Sequence, residues 1–144
     1  MDGVACCFTG HRNLIWEDIP SIRENLNKTV ETLIANGVNV FMTGGAKGFD
    51  EIAAEVISSF KDRYPQIYFW VVVPYSKKAD DESLLKADRV EALSPGYYRG
   101  CMHVRNRFMV DHADYCISYL RKETGGTVYT VNYAKRRGVC VIHI

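Results

Sequence analysis

Apolar residues along this chain fall into two alternating rhythms. Short continuous runs, "VACCFT" at 4–9, "VNVFMT" at 38–43, "IYFWVVV" at 67–73, "YCISYL" at 115–120 and "VCVIHI" at 139–144, read as strands covered on both faces. Between the first two, Ile19, Ile22, Leu26, Val30, Leu33 and Ile34 recur at helical spacing; Pro20 suits that helix's first turn and Asn36-Gly37 its end. Phe49, Ile52, Ala53, Val56, Ile57 and Phe60 mark one face of a second helix. Two more are predicted over Met102–His112 and Thr127–Arg137, the last capped by Gly138. The stretch 75–99 is polar and less regular, with a short helix expected near Leu84–Leu93.

Alternation of buried strands with helices predicts one α/β domain over 1–144: a Rossmann-like three-layer sandwich around a mainly parallel five-stranded sheet. Right-handed crossovers give the strand order 3-2-1-4-5. That order reverses between the first and fourth strands, and ligands of such sheets bind outside the carboxyl ends at the reversal. Three turns leave those ends and should converge: Thr9-Gly10-His11-Arg12; Thr43 to Asp50; and Thr124-Gly125-Gly126-Thr127.

Each turn has a chemistry of its own. In "TGGAKGFD", Gly44, Gly45 and Gly48 let the backbone approach a ligand, and the following helix directs N–H groups and partial positive charge into the same space. Ala46 and Lys47 complete the turn; Lys47 is expected near a phosphate and Asp50 on a ribose hydroxyl. The bland alternative is a tight turn with Asp50 and Glu51 as ordinary helix-start acids. The spacing is neither GxxxxGK[ST] nor GxGxxG, which argues against a magnesium-dependent nucleoside triphosphatase. The second glycine pair, Gly125-Gly126 between Thr124 and Thr127, repeats the idea. Arg12 is placed to pair with phosphate, whereas His11 beside it reads as structural. Of Arg105 and Arg107, one is expected to face the site and the other to be a solvated charge. Tyr97 and Tyr98 either stack on a base or pack on their own domain, Trp70 reads as core, and Lys135, Arg136 and Arg137 read as a solvated helix end.

Composition narrows the picture only slightly. With 144 residues, 47% hydrophobic and 24% charged, the chain reads as a globular domain; a formal net charge of +1 gives no general attraction to nucleic acid or anionic membrane. No apolar run is long enough for a membrane span, and no signal peptide is expected ahead of Val4. The five cysteines form no CxxC pair and read as small hydrophobes in a reducing cytoplasm. No motif calls for a metal or a cofactor.

Four segments in order resemble the SLOG superfamily, which unites the DNA-processing protein A family with the Lonely Guy phosphoribohydrolases. They are "TGHR" at 9–12, "TGGAKGFDEIAAE" at 43–55, "RNRFMVDHAD" at 105–114 and "TGGTVYTVNYA" at 124–134. Within it the chain is similar to the YpsA-like branch of bacteria and phages. The resemblance implies a Rossmann-like domain that binds or senses a nucleotide or nucleotide-derived ligand. The enzyme alternative is a phosphoribohydrolase or other N-glycosidase, for which Arg105 and Asp50 are the candidate catalytic residues. Lonely Guy enzymes place a glutamate in the turn GGxGTxxE, and alignment on Thr127 puts Thr130 at that position. A threonine hydroxyl cannot stabilise an oxocarbenium-like transition state as a carboxylate does. A second alternative is a single-stranded DNA-binding module, which calls for a basic groove with stacking aromatics. The expected partner is a small nucleotide-like ligand rather than nucleic acid or membrane, and a homo-oligomer is compatible with the fold.

Overall fold

The computed structural model describes residues 3–80 and 86–144. The elements in chain order are β1 (Val4–Gly10), α1 (Ile19–Ala35), β2 (Val38–Thr43), α2 (Phe49–Arg63), β3 (Tyr68–Val73), β4 (Arg89–Ala92), α3 (Cys101–Asp111), β5 (Tyr115–Tyr119), α4 (Gly126–Arg136) and β6 (Cys140–His143). Short 3-10 turns at Trp16–Asp18 and Ser76–Asp80 precede α1 and follow β3. The sheet runs β4-β3-β2-β1-β5-β6 with every pairing parallel. Five of its strands, β3-β2-β1-β5-β6, have the predicted order, and the reversal falls where β1 lies between β2 and β5.

The sixth strand is the main difference from the sequence expectation. Arg89–Ala92 is a strand, paired from Trp70↔Arg89 to Val73↔Ala92, where a short helix was expected; residues 84 and 85 of that expected helix lie outside the described residues. The cause is tertiary. Asp88 accepts the Phe69 N–H at 2.7 Å and is ion-paired with Lys61, so the chain is clamped to the open edge of β3 just before Arg89. Edge pairing then satisfies backbone groups that helix propensity alone would have directed inward.

Alternate residues of each strand face two different cores. One face carries Phe8, Phe41, Phe69, Val71 and Ile117 under α1 and α2, whose buried residues include Ile22, Leu26, Val30, Phe49, Ile57 and Phe60. The other carries the smaller Cys7, Val40, Val72 and Cys116, with Met42 and Trp70, under Met109, Val110 and Ala134 of α3 and α4. Each fully buried aliphatic or aromatic side chain contributes about 1.5–3 kcal/mol. The cysteines are all free thiols, four of them buried, so they serve here as small core residues. Trp70 is core, as expected, with Phe108 edge-on to its ring. No helix among the described residues is long and apolar enough to cross a membrane.

Candidate functional site

The turn after β1 and the start of α2 touch backbone to backbone. Gly48 has φ +77°, and a Cβ there would lie 2.2 Å from the carbonyl oxygen of Arg12. A Cβ on Gly10 would lie 2.3 Å from the Phe49 ring. The Phe49 N–H donates to the His11 carbonyl at 3.1 Å, closing the seam. Glycine is needed at both positions because nothing larger fits between the two turns.

The turn after β2 encloses a buried charge pair. Arg105 of α3 is 6% exposed and Asp50 of α2 is 8% exposed. Gly44 lies between them; a Cβ there would come within 2.6 Å of the guanidinium and 2.9 Å of the carboxylate. Arg105 donates from Nη1 to the Gly44 carbonyl and from Nε to Asn106 Oδ1 at 2.8 Å. Asp50 accepts the Ala46 N–H at 3.3 Å, and the Gly44 amide also stabilises its charge. Burial nevertheless pushes the Asp50 carboxyl above its ordinary value, outweighing Arg105 and the amides. Burial likewise lowers Arg105, which stays protonated because a guanidinium does not titrate in proteins. Glu51 Oε1 accepts the Gly48 N–H at 2.8 Å. Side-chain carboxylates thus occupy several amides of this turn.

The turn after β5 is built differently. Helix α4 starts at Gly126 behind Gly125 (φ 109°), with no side-chain cap and no acidic residue in its first turn. Its first N–H groups therefore face the crevice without an anion of the chain's own. His11 fixes this turn from the side. Its Nε2 accepts the Arg121 N–H at 2.8 Å, so in the neutral ring Nδ1 carries the proton and donates to Thr127 Oγ1 at 3.4 Å. That leaves the Thr127 hydroxyl hydrogen free to donate into the crevice. Burial, then Lys122 and Arg121, lower the His11 pKa and keep the ring neutral at pH 7. Thr130 is 2% exposed and donates to the Gly126 carbonyl of its own helix at 2.9 Å.

The three turns enclose a cavity of about 370 Å³, within the size range of small-molecule sites. Among the turn residues singled out in the sequence, Thr9, Gly10, His11, Arg12, Gly44, Gly45, Ala46, Lys47, Asp50, Thr124, Gly125, Gly126 and Thr127 line it, as does Arg105. Thr43 and Gly48 do not. Thr43 is fully buried at the end of β2, and Gly48 is taken up by the seam with Arg12. Arg107 is also outside, donating to the Tyr129 hydroxyl at 2.7 Å on the α3–α4 surface. Tyr97 and Tyr98 are exposed and do not line the cavity.

Sequence reasoning missed Phe8, Asn13, Pro74, Lys78, Met102, Asn106 and Lys122, which also line it. Asn106 had a readable signal, its place beside Arg105. The Arg105 Nε–H fixes its amide oxygen as an acceptor, which leaves the NH₂ as the donor end of that side chain. Among the described residues, Asp50 is the one carboxylate of the lining, and no three His, Cys, Asp or Glu side chains gather as a metal site requires.

Comparison with known proteins follows the same lines. Residues 6–138 match the family model YpsA, described as "YspA SLOG family". A UPF0398 protein of Ligilactobacillus salivarius is 27% identical over 128 residues, 80% of this chain and 70% of that protein. The SPbeta prophage-derived protein YoqJ of Bacillus subtilis is 26% identical over 138 residues, 80% of this chain and 81% of that one. DNA processing protein A from Helicobacter pylori, solved for its single-stranded DNA binding mode, superposes with a TM-score of 0.71 at 18% identity. That match covers 98% of this chain and 65% of that one. The Streptococcus pneumoniae protein gives the same score and identity, with this chain spanning 50% of its length. These structural likenesses share the fold. With its matched segment running through all three glycine turns and both members of the buried pair, the chain belongs to the YpsA SLOG family.

Proposed function

We propose that the cavity binds a nucleotide-derived ligand, with a phosphate in the turn after β5 and a sugar hydroxyl at Asp50. The observation that carries this reading is the contrast in donors and acceptors around the crevice. The start of α4 offers uncapped N–H groups, the Thr127 hydroxyl and Lys122, which suit an anion. Asp50 is a buried acceptor-only carboxylate whose charge its neighbours do not fully compensate, which suits a hydroxyl donor. Pro74 and Met102 supply apolar wall for a base.

Isothermal titration with 5′-AMP tests the reading. Saturable binding, weakened about tenfold or more in Thr127→Ala, is the expected result. No heat and no thermal stabilisation at millimolar nucleotide would remove it. The chain is expected to leave the glycosidic bond intact, because Thr130 is turned into its own helix where the hydrolases use a carboxylate. Release of free base during long incubation, lost in Asp50→Asn, would overturn that part.

A second reading, single-stranded DNA, is favoured by the Helicobacter pylori protein's binding mode and by the cationic lining. Sequence-tolerant strand binding relies on stacking aromatics. Phe8 and His11 are the aromatic rings of the lining; Phe8 is 1% exposed and His11 is held by Arg121 and Thr127. The small ligand is therefore the stronger reading. Steeply salt-dependent anisotropy binding to an oligonucleotide, unaffected by excess 5′-AMP, would reverse that ranking.

A further inference from the structure

The cavity is far more cationic than the chain around it. Among the described residues, Arg12, Lys47, Lys78, Arg105 and Lys122 line it against one carboxylate, Asp50, in a chain of formal net charge +1. Arg105 is already engaged by the Gly44 carbonyl and Asn106. Among the described residues, Arg12, Lys47 and Lys122 have no carboxylate within ion-pair distance. Each comes from a different turn, so their charge is spread along the crevice and not gathered at one point.

The spacing of the two lysines matters most. Lys47 leaves the end of β2 and Lys122 the end of β5, with β1 between them. Two strand spacings separate their turns, about 10 Å. Each lysine therefore has a turn of its own at which to meet an anion, and one phosphate at each turn satisfies both without either side chain reaching across the crevice. Asp50, in the first turn of α2, lines the same crevice three residues after Lys47, so a ribose bound to it lies at the Lys47 side of the crevice. The amides of Ala46 and Gly48 are already taken by Asp50 and Glu51, so an anion beside Lys47 would be held mainly by the ammonium group.

We infer that the ligand carries two phosphates on opposite sides of one ribose, the first in the α4 turn beside Lys122 and the second at Lys47, with Asp50 accepting a hydroxyl of the ribose. This rests on the nucleotide reading above and specifies its ligand class. A free nucleoside bisphosphate and a stretch of RNA backbone both present this phosphate–ribose–phosphate unit.

Titration calorimetry of the full chain with 5′-AMP, ADP and adenosine 3′,5′-bisphosphate tests it. The bisphosphate is expected to bind about tenfold tighter than either of the others. Lys47→Ala, a change at an exposed loop residue, is expected to bring the bisphosphate down to the affinity of AMP while leaving AMP itself unchanged. Lys122→Ala is expected to weaken both. Equal affinity for AMP and the bisphosphate, tighter binding of ADP, or a Lys47→Ala effect shared by AMP would overturn the two-phosphate assignment and leave the nucleotide reading standing. Failure of all three ligands to bind would remove both. A short oligoribonucleotide identifies the source. Binding tighter than the bisphosphate with the same dependence on Lys47 assigns the unit to a strand, weaker binding assigns it to the free bisphosphate, and tight binding indifferent to Lys47 contradicts the assignment.

Discussion

The turn after β2 and the turn after β5 both pass from a buried parallel strand through paired glycines into a helix, yet they face the cavity with opposite chemistry. In the first, Asp50 and Glu51 fold back on the amides of Ala46 and Gly48, and Arg105 fills the space over Gly44. In the second, nothing acidic stands in the first helical turn, and a Cβ on Gly125 or Gly126 would meet nothing within 4 Å. Glycine serves packing in one turn and access in the other. A glycine-rich strand-to-helix turn is therefore not by itself a phosphate site; what matters is whether the chain has already supplied the anion.

The largest expected effect separates these two uses of glycine. Gly48→Ala forces a side chain into a left-handed backbone conformation and against the Arg12 carbonyl, and should cost about 3 kcal/mol or more. Gly126→Ala, in a helical position with open space, should change stability by less than about 0.5 kcal/mol. Chemical denaturation of both variants checks the contrast, and similar losses would erase it. Next in size is ligand binding. Thr127→Ala removes a hydroxyl donor from the open turn and should weaken 5′-AMP by about 1.5 kcal/mol or more, with the fold intact.

Asp50→Asn gives an effect on binding opposed to its effect on stability. The folded Asp50 carboxyl is raised above its ordinary value of 3.8. Its stabilising contribution is thus fully present below that value and lost as pH rises through the folded value. At pH 7 the variant should be at least as stable as the wild type while binding ligand more weakly, and its relative stability should fall on acidification through that window. Thermal melts from pH 3 to 7 read this; a variant less stable at pH 7 would show that Arg105 outweighs burial. His11 has the smallest effect and the opposite sign. Its pKa is lowered from 6.5, so its contribution is present above 6.5 and lost as pH falls through the folded value. Protonation would also turn Nε2–H towards the Arg121 N–H it now accepts. His11→Gln should flatten this part of the stability profile, and an unchanged profile would show that the ring plays no part in it.

Most of this architecture is legible in the chain because buried parallel strands are continuous apolar runs, and "VNVFMT" or "IYFWVVV" allows little else. β4 is not, since Arg89–Ala92 is a half-exposed edge strand of four residues, too short for its charged–apolar alternation to stand out, and its pairing depends on Asp88 reaching Phe69. The convergence of the turns follows from strand order, so Arg12, Lys47 and Thr127 could be named together. The direction of Asp50 could not be read: an acid at a helix start has the same letters whether it awaits a ligand or holds its own loop. Lys122 and Lys78 were missed for a related reason, as lysines in polar turns look solvated until the fold encloses them.

The two glycine turns differ most directly in which of them receives the phosphate. A backbone amide titration by ¹H–¹⁵N correlation spectroscopy with 5′-AMP tests this directly. The largest saturable shifts are expected at Gly126 and Thr127, with those of Ala46 and Gly48 smaller. The reverse pattern, with Ala46 and Gly48 moving most while the start of α4 stays still, would contradict it.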